Sequence, residues 1–374
     1  MTRKALGLAA ALVLGVSFTV AVAQVRRPSQ PTPVPQTPAQ LAVRALNEGR
    51  YDEAVAIASK DQYDPTLVAI HARALIARGR YAEAEDILRP AAQRQPVSDA
   101  ALELGLLLQM LSRPDASIYL TRVASSADTA QRAAELARAA KALQALDRFE
   151  ESNAAFRDAA TAAPRDPGIQ TAWADMFLAG GCPNCMVDAG KGYEAALKED
   201  PKWTPALLGM ARVTADMNPP EGVKLAEKVL EINPSYVDAH LFIASEAADA
   251  GHRDDARKAL QKALEVNPNS LDGHALMAAL AYIEDKQPEF EENIQKVLAL
   301  SPKYGEAYRK AGELASHNYR FDEAVTLVRK GLALDPQNAR ALGDSARTCS
   351  ARATSRGRVP HSSSRSSSTA ATSS

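Results

Sequence analysis

The chain has 374 residues, 46% hydrophobic and 24% charged, with a net charge of −1. That balance excludes a nucleic-acid surface built on bulk positive charge and a chain too polar to fold. Aromatic residues make up only 5%, and alanine is abundant, as in helices packed closely through small side chains.

The N-terminus reads as a targeting segment. Arg3 and Lys4 form a basic start, Ala5 to Val22 is uncharged, and Ala21-Val22-Ala23 is an A-x-A cleavage site. Residues 1–23 are therefore expected to be a signal peptide cut after Ala23, with an exported product that is periplasmic or secreted. An uncleaved anchor is the other reading of the same apolar run. After signal removal no membrane span is expected. Residues 24–38 are proline-rich and read as an extended linker.

From residue 39 helical runs alternate with turns. Leu41–Ala58 is a first short unit with Gly49 and Ala54 at its turn and small site. Pro65–Pro96 follows, carried by Ala72, Gly79, Tyr81, Ala84 and Ala91. Ser98–Val123 is degenerate but keeps Gly105, and Pro114 stands where its second helix should start. Ala133–Pro164 returns to form with Ala140, Phe149, Phe156 and Ala159. Pro167–Pro201 has three extra residues in its inner turn, around Cys182-Pro183-Asn184-Cys185. Thr204–Pro234 keeps Ala211 and breaks at Pro219-Pro220. Pro234, Pro268, Pro302 and Pro336 then fall 34 residues apart. Helix, turn, helix and proline at a fixed period of this length is a helical-repeat signature.

The pattern resembles the tetratricopeptide repeat, most clearly over Val237–Pro268 and Gly305–Pro336. Ala244, Gly251, Ala256, Ala263 and Pro268 fill the family's places in one repeat, and Gly312, Phe321, Ala324, Gly331 and Pro336 in another. The resemblance covers residues 39–344, about nine repeats. It implies an all-α fold: a right-handed superhelix, or solenoid, of stacked antiparallel helix pairs, each burying its core against its neighbours. It also implies a concave groove that binds a protein or peptide partner. By helical phase, Arg212, Ser245, Tyr282, Arg309 and Glu313 are candidates to line that groove. The secreted bacterial type of this family also suggests an alternative, in which the array is the N-terminal arm of a larger secreted hydrolase resembling a metallopeptidase.

Cys182 and Cys185 are the one pair with reactive potential. In an oxidising compartment a structural disulfide is favoured over a redox or metal role. His240 and His274, 34 residues apart, are expected to be half-buried packing residues rather than a metal pair. No HExxH, GxSxG or phosphate-loop motif is present, so neither enzyme activity nor a cofactor or metal is expected. Partner identity and oligomeric state are not readable.

After Asp344 the chain loses Asp, Glu and Lys and carries five Arg and eleven Ser. A low-complexity, disordered tail over residues 345–374 is one reading. A frame shift near residue 345 is the other, and is favoured, because Ser-rich codons read one base out of phase give the apolar residues that the repeat requires.

Overall fold

The computed structural model describes residues 36–180 and 184–336. The expected signal segment with its cut after Ala23, nearly all of the linker, Cys182 and the tail lie outside them. Met1–Gln36 and Thr37–Ser374 form separate units, and every helix described below belongs to the second.

Eighteen α-helices pair in chain order as nine hairpins among the described residues. They are α1 (Pro38–Asn47) with α2 (Tyr51–Ala58), α3 (Pro65–Ala77) with α4 (Tyr81–Arg94), and α5 (Asp99–Met110) with α6 (Ala116–Ala124). Then come α7 (Ala133–Ala145) with α8 (Phe149–Ala162), α9 (Pro167–Gly180) with α10 (Cys185–Glu199), and α11 (Thr204–Ala215) with α12 (Pro219–Ile232). The last three are α13 (Val237–Asp249) with α14 (Arg253–Val266), α15 (Leu271–Ile283) with α16 (Gln287–Leu300), and α17 (Glu306–His317) with α18 (Phe321–Leu334). Pro38, expected to close the linker, is instead the first residue of α1. It follows the Thr37 cap, where a missing N–H costs nothing.

Two local devices recur through the array. The first is the turn inside the hairpin. Gly49, Gly79, Ser112, Asp147, Gly251, Asp285 and Tyr319 all have φ between 55° and 79°. The N–H of the following residue returns to a carbonyl of the first helix, as from Arg80 to Leu75 at 2.9 Å and from Arg320 to Ala315 at 2.9 Å. This left-handed C-terminal motif satisfies carbonyls that the helix leaves open. The second device is the stop before proline. Asn233, Asn267 and Ser301 leave the helix with ψ near 90°, because the next proline disfavours helical backbone there. His240 Nε2 and His274 Nε2 each donate to the carbonyl of the proline six residues earlier, both at 2.9 Å. Both rings are buried and serve packing, as expected.

Small residues set the crossing of the two helices in a pair. A Cβ on Gly222 would sit 2.7 Å from the Ala211 carbonyl, and one on Gly312 3.0 Å from that of Ala324. Consecutive first helices touch one another almost throughout, while consecutive second helices do not. The first helices therefore form the inner layer of a superhelix and the second helices its outer layer. The junction between the last two repeats differs: α17 packs mainly on α15 and hardly on α16. Accordingly α15 is buried on nearly every side, as an apolar helix without a polar face must be.

One expectation is corrected. The repeats do not bury themselves against sequence neighbours alone. The hairpin turn of the first repeat meets the junction of the sixth and seventh, where the Tyr51 hydroxyl donates to the Ser235 carbonyl at 3.0 Å. The second repeat meets the seventh–eighth junction through Tyr81 and the Asn269 carbonyl at 3.1 Å. The third meets the eighth–ninth junction through Ser112 and Ser301 at 2.6 Å. One superhelical turn thus takes about five and a half repeats, and successive turns rest edge to edge along a seam.

Tyr319 is a bulky, exposed side chain held at φ 61°, a conformation that strains an L residue. Tyr319→Gly is expected to raise stability by roughly 0.5–1 kcal/mol, read as an upward shift of the urea midpoint. A downward shift would show that its edge contact with Phe321 outweighs the strain.

Candidate functional site

The inner layer carries charge where a solenoid core would otherwise be apolar. Counting nine residues from the start-capping positions Asp64, Arg132, Asp166 and Trp203 gives Arg73 on α3, Lys141 on α7, Asp175 on α9 and Arg212 on α11. The same count from Tyr236 gives Ser245 on α13, with Glu246 the next residue. Leu107 interrupts the row on α5, and Ala279 and Leu314, counted from Ser270 and Gly305, end it on α15 and α17. These last three are buried. From Lys141 to Arg212 the signs alternate along three consecutive inner helices.

The N-terminal part of this face is internally paired. Arg73 Nε lies 2.7 Å from Glu103, and Arg138 Nε lies 2.7 Å from Asp99. Asp99 also accepts from the Thr66 hydroxyl at 2.6 Å. These bonds tie α3 to α5 and α5 to α7. Its carboxyl, despite burial, is held below the usual carboxylate range by Arg138, Thr66 and Arg73.

The central part is different. Lys141, Arg212 and Asp238 have no ion-pair or hydrogen-bond partner through their side chains among the described residues. Asp175 accepts only from the Tyr193 hydroxyl, at 2.7 Å. Asp175, Arg212 and Asp238 are exposed to solvent on the inner face, with protein around the two carboxylates on either side. Burial is the largest influence on Asp175 and Asp238 and pushes both upward, against the attraction of Arg212. Burial, helped by Arg73, pushes the Lys141 ammonium down. Asp272, on α15, repels Asp238 and accepts from the Tyr304 hydroxyl at 2.7 Å. Desolvated charges without close partners are unfavourable for folding and cluster where a protein meets its ligand.

Of the residues expected to line the groove, Arg212 lies at the centre of this set, between Asp175 and Asp238. Ser245 is half-buried on α13, next to Glu246. The structure does not bring the other three to the same place. Tyr282 donates to Glu323 at 2.7 Å and stacks under the Arg320 guanidinium, 5.0 Å from its ring centre. Arg309 is buried and holds Glu306 at 2.6 Å and Glu313 at 2.9 Å. Sequence reading missed Lys141, Asp175, Asp238 and Glu246, of which counting in register would have found Lys141 and Asp175. Cys185 is buried at the start of α10 and engaged in a disulfide, while Cys182 lies outside the described residues. No group of three His, Cys, Asp or Glu side chains able to hold a metal occurs among the described residues. No helix among them is long and apolar enough to cross a membrane.

The raised Asp175 carboxyl has a signed consequence. Its folded form holds the proton more tightly than the unfolded chain does. Above the folded pKa the ionised group therefore lowers stability, and below about pH 3.9 both states are protonated and the penalty vanishes. Asp175→Asn, which keeps an acceptor for Tyr193, is expected to stabilise the protein at pH 7 and to gain less as pH falls towards 4. Urea midpoints at the two pH values measure this, and a destabilised variant at pH 7 would contradict it.

Comparison with known proteins bears on the fold. Residues 215–280 match the tetratricopeptide repeat family. No curated protein matches the chain. Among solved structures, the hetero-tetramer Cut9-Hcn1 of the APC/C is similar at a TM-score of 0.53 with 14% identity, over 79% of this chain. This chain spans 59% of the length of that one. A tetratricopeptide repeat protein from Parabacteroides merdae gives a TM-score of 0.45 with 16% identity, over 76% of this chain and 99% of that one. Yeast Tom70 gives 0.42 with 15% identity, over 83% and 79%. Sequence match and fold together support a tetratricopeptide-repeat protein.

Proposed function

We propose that this protein is an exported, non-catalytic scaffold that holds another polypeptide against the inner face of its superhelix. The fold supports a protein-interaction role in general. The observation that carries the specific reading is the central run Lys141, Asp175, Arg212, Asp238 and Glu246. Lys141, Arg212, Asp238 and Glu246 have no side-chain partner among the described residues and Asp175 has only the Tyr193 hydroxyl, so charge of both signs is gathered on one face without the pairing that folding alone would favour. A polypeptide laid along four successive inner helices would supply complementary charge and hydrogen bonds at each step.

Export rests on the N-terminal targeting pattern and agrees with a disulfide at Cys185, since such bonds persist in oxidising compartments. We assign Cys182 as its partner, closing the turn between α9 and α10.

Two outcomes test the reading. Immobilised protein exposed to an envelope extract is expected to retain a partner, with recovery reduced about tenfold or more by Arg212→Glu with Asp238→Lys. Lys258→Glu on the outer face should leave recovery unchanged. Equal recovery by the inner-face variant would sink the inner-face assignment. Separately, Cys182→Ser with Cys185→Ser is expected to cost about 2 kcal/mol of stability in oxidising buffer and nothing in reducing buffer. An equal cost in both would refute the clip.

A further inference from the structure

The seam between superhelical turns is more than a contact. It repeats one design at two positions, with a polar variant at a third. At the first, Gly49 faces Asn233; at the second, Gly79 faces Asn267. A Cβ on either glycine would lie 2.2–2.3 Å from the facing Asn Oδ1, so only glycine admits the approach. Each Asn turns the next segment by accepting from the backbone N–H two residues on, at 3.0 Å. Each glycine is followed two residues later by the tyrosine, Tyr51 or Tyr81, that donates across the seam. At the third position Ser112 and Ser301 occupy the glycine and asparagine places. Met110 and Leu300 each pack against both large apolar clusters, one on either side.

The three positions are not equally well made. The middle one is saturated. Asn267 Nδ2 donates to the Ile76 carbonyl at 3.3 Å and to the Tyr81 oxygen at 3.2 Å, and Asn269 Nδ2 donates to the Gly79 carbonyl at 2.9 Å. At the first, Thr204 donates to the Asn47 carbonyl at 3.0 Å. Yet the buried nitrogens Asn47 Nδ2 and Trp203 Nε1 find no acceptor among the described residues, and Asn233 Nδ2 approaches the Tyr51 oxygen without reaching good hydrogen-bond geometry. At the third, a cleft of about 320 Å³ opens beside Gln109, Met110, Ser112, Tyr304 and Glu306. Buried donors left unmatched weaken an interface, and so does unfilled space.

We infer that the seam is a latch, held by its middle clasp and loose at both ends, whose parting opens the inner face to bulky partners. While it is shut, the first helices line a closed winding, and only small or extended groups reach Asp238 and its neighbours. When it parts, the turns separate without breaking any neighbour-to-neighbour repeat contact. The step is then low in energy compared with unfolding, as sub-global openings are. Its meaning for function rests on the inner-face reading above. The test does not, since it uses no partner.

The seam itself is tested by Ser112→Cys with Ser301→Cys. A disulfide between them is expected to form in native protein under mild oxidant, mapped by peptide mass spectrometry, with an unchanged radius of gyration. Failure to form it overturns the seam. The latch is tested by the reaction of a cysteine placed at Asp238 (D238C) with N-ethylmaleimide and with a 5-kDa polyethylene-glycol maleimide. Adding Tyr81→Phe and Asn267→Ala is expected to speed the large reagent about tenfold or more, the effect of losing the three hydrogen bonds those side chains make across the seam. The small reagent should change less than about twofold. Equal acceleration of both reagents, or of neither, overturns the latch. Should the double change reduce helicity, Tyr81→Phe alone removes a single hydroxyl and must move the ratio in the same direction.

Discussion

The structure depends on how each helix is made to stop. A left-handed residue ends every first helix that has a resolved turn of this kind, and an extended residue before proline ends most of the later second helices. Both are backbone constraints rather than side-chain contacts. Because they recur at nearly regular intervals, 34 residues apart from Gly251 to Tyr319, successive hairpins leave their predecessors at similar angles. Repetition of one angle is what makes a superhelix. Small residues such as Gly222 and Gly312 then fix how closely the paired helices approach, and so how tightly the array winds.

That winding determines what the charges experience. On a flat helical layer Asp175, Arg212 and Asp238 would be ordinary surface residues. On the inside of a tight superhelix they touch solvent yet are surrounded by protein, so burial pushes the two carboxyls up. The N-terminal helices resolve the same problem by pairing, as Arg73 does with Glu103 and Arg138 with Asp99. The C-terminal helices avoid it by placing Ala279 and Leu314 in the row. Only the middle of the array keeps the charges without ion-pair partners, Asp175 being held by the Tyr193 hydroxyl alone. That contrast is what supports our proposal that this stretch meets the partner.

The repeats were legible in the sequence because their signals are local. Proline spacing, small residues at helix crossings and turn glycines act within one hairpin and survive without an alignment. The charged row was less legible because the extra residues around Cys182–Cys185 shift the count: Asp175 and Arg212 stand 37 apart, not 34. Arg309 and Tyr282 lie apart from the central set for a different reason. Helical phase gives the face of a residue, but not whether Glu306, Glu313 or Glu323 already occupies it. The seam left no mark that could be read in advance. Gly-Arg-Tyr at residues 49–51 and 79–81 looks like any hairpin turn, and Asn before Pro looks like any helix stop. Their pairing exists only because the winding brings repeats 184 to 189 residues apart to the same edge.

The closure of that winding is the claim on which the inner face, its enclosed charges and the latch all stand. Spin labels at Glu53 on α2 and Glu231 on α12, both exposed and beside the first seam contact, report it directly by pulsed dipolar spectroscopy. A closed superhelix gives one short, narrow distance distribution. A broad distribution centred at long distance would mean that the turns stand apart, and would contradict the enclosure from which the rest follows.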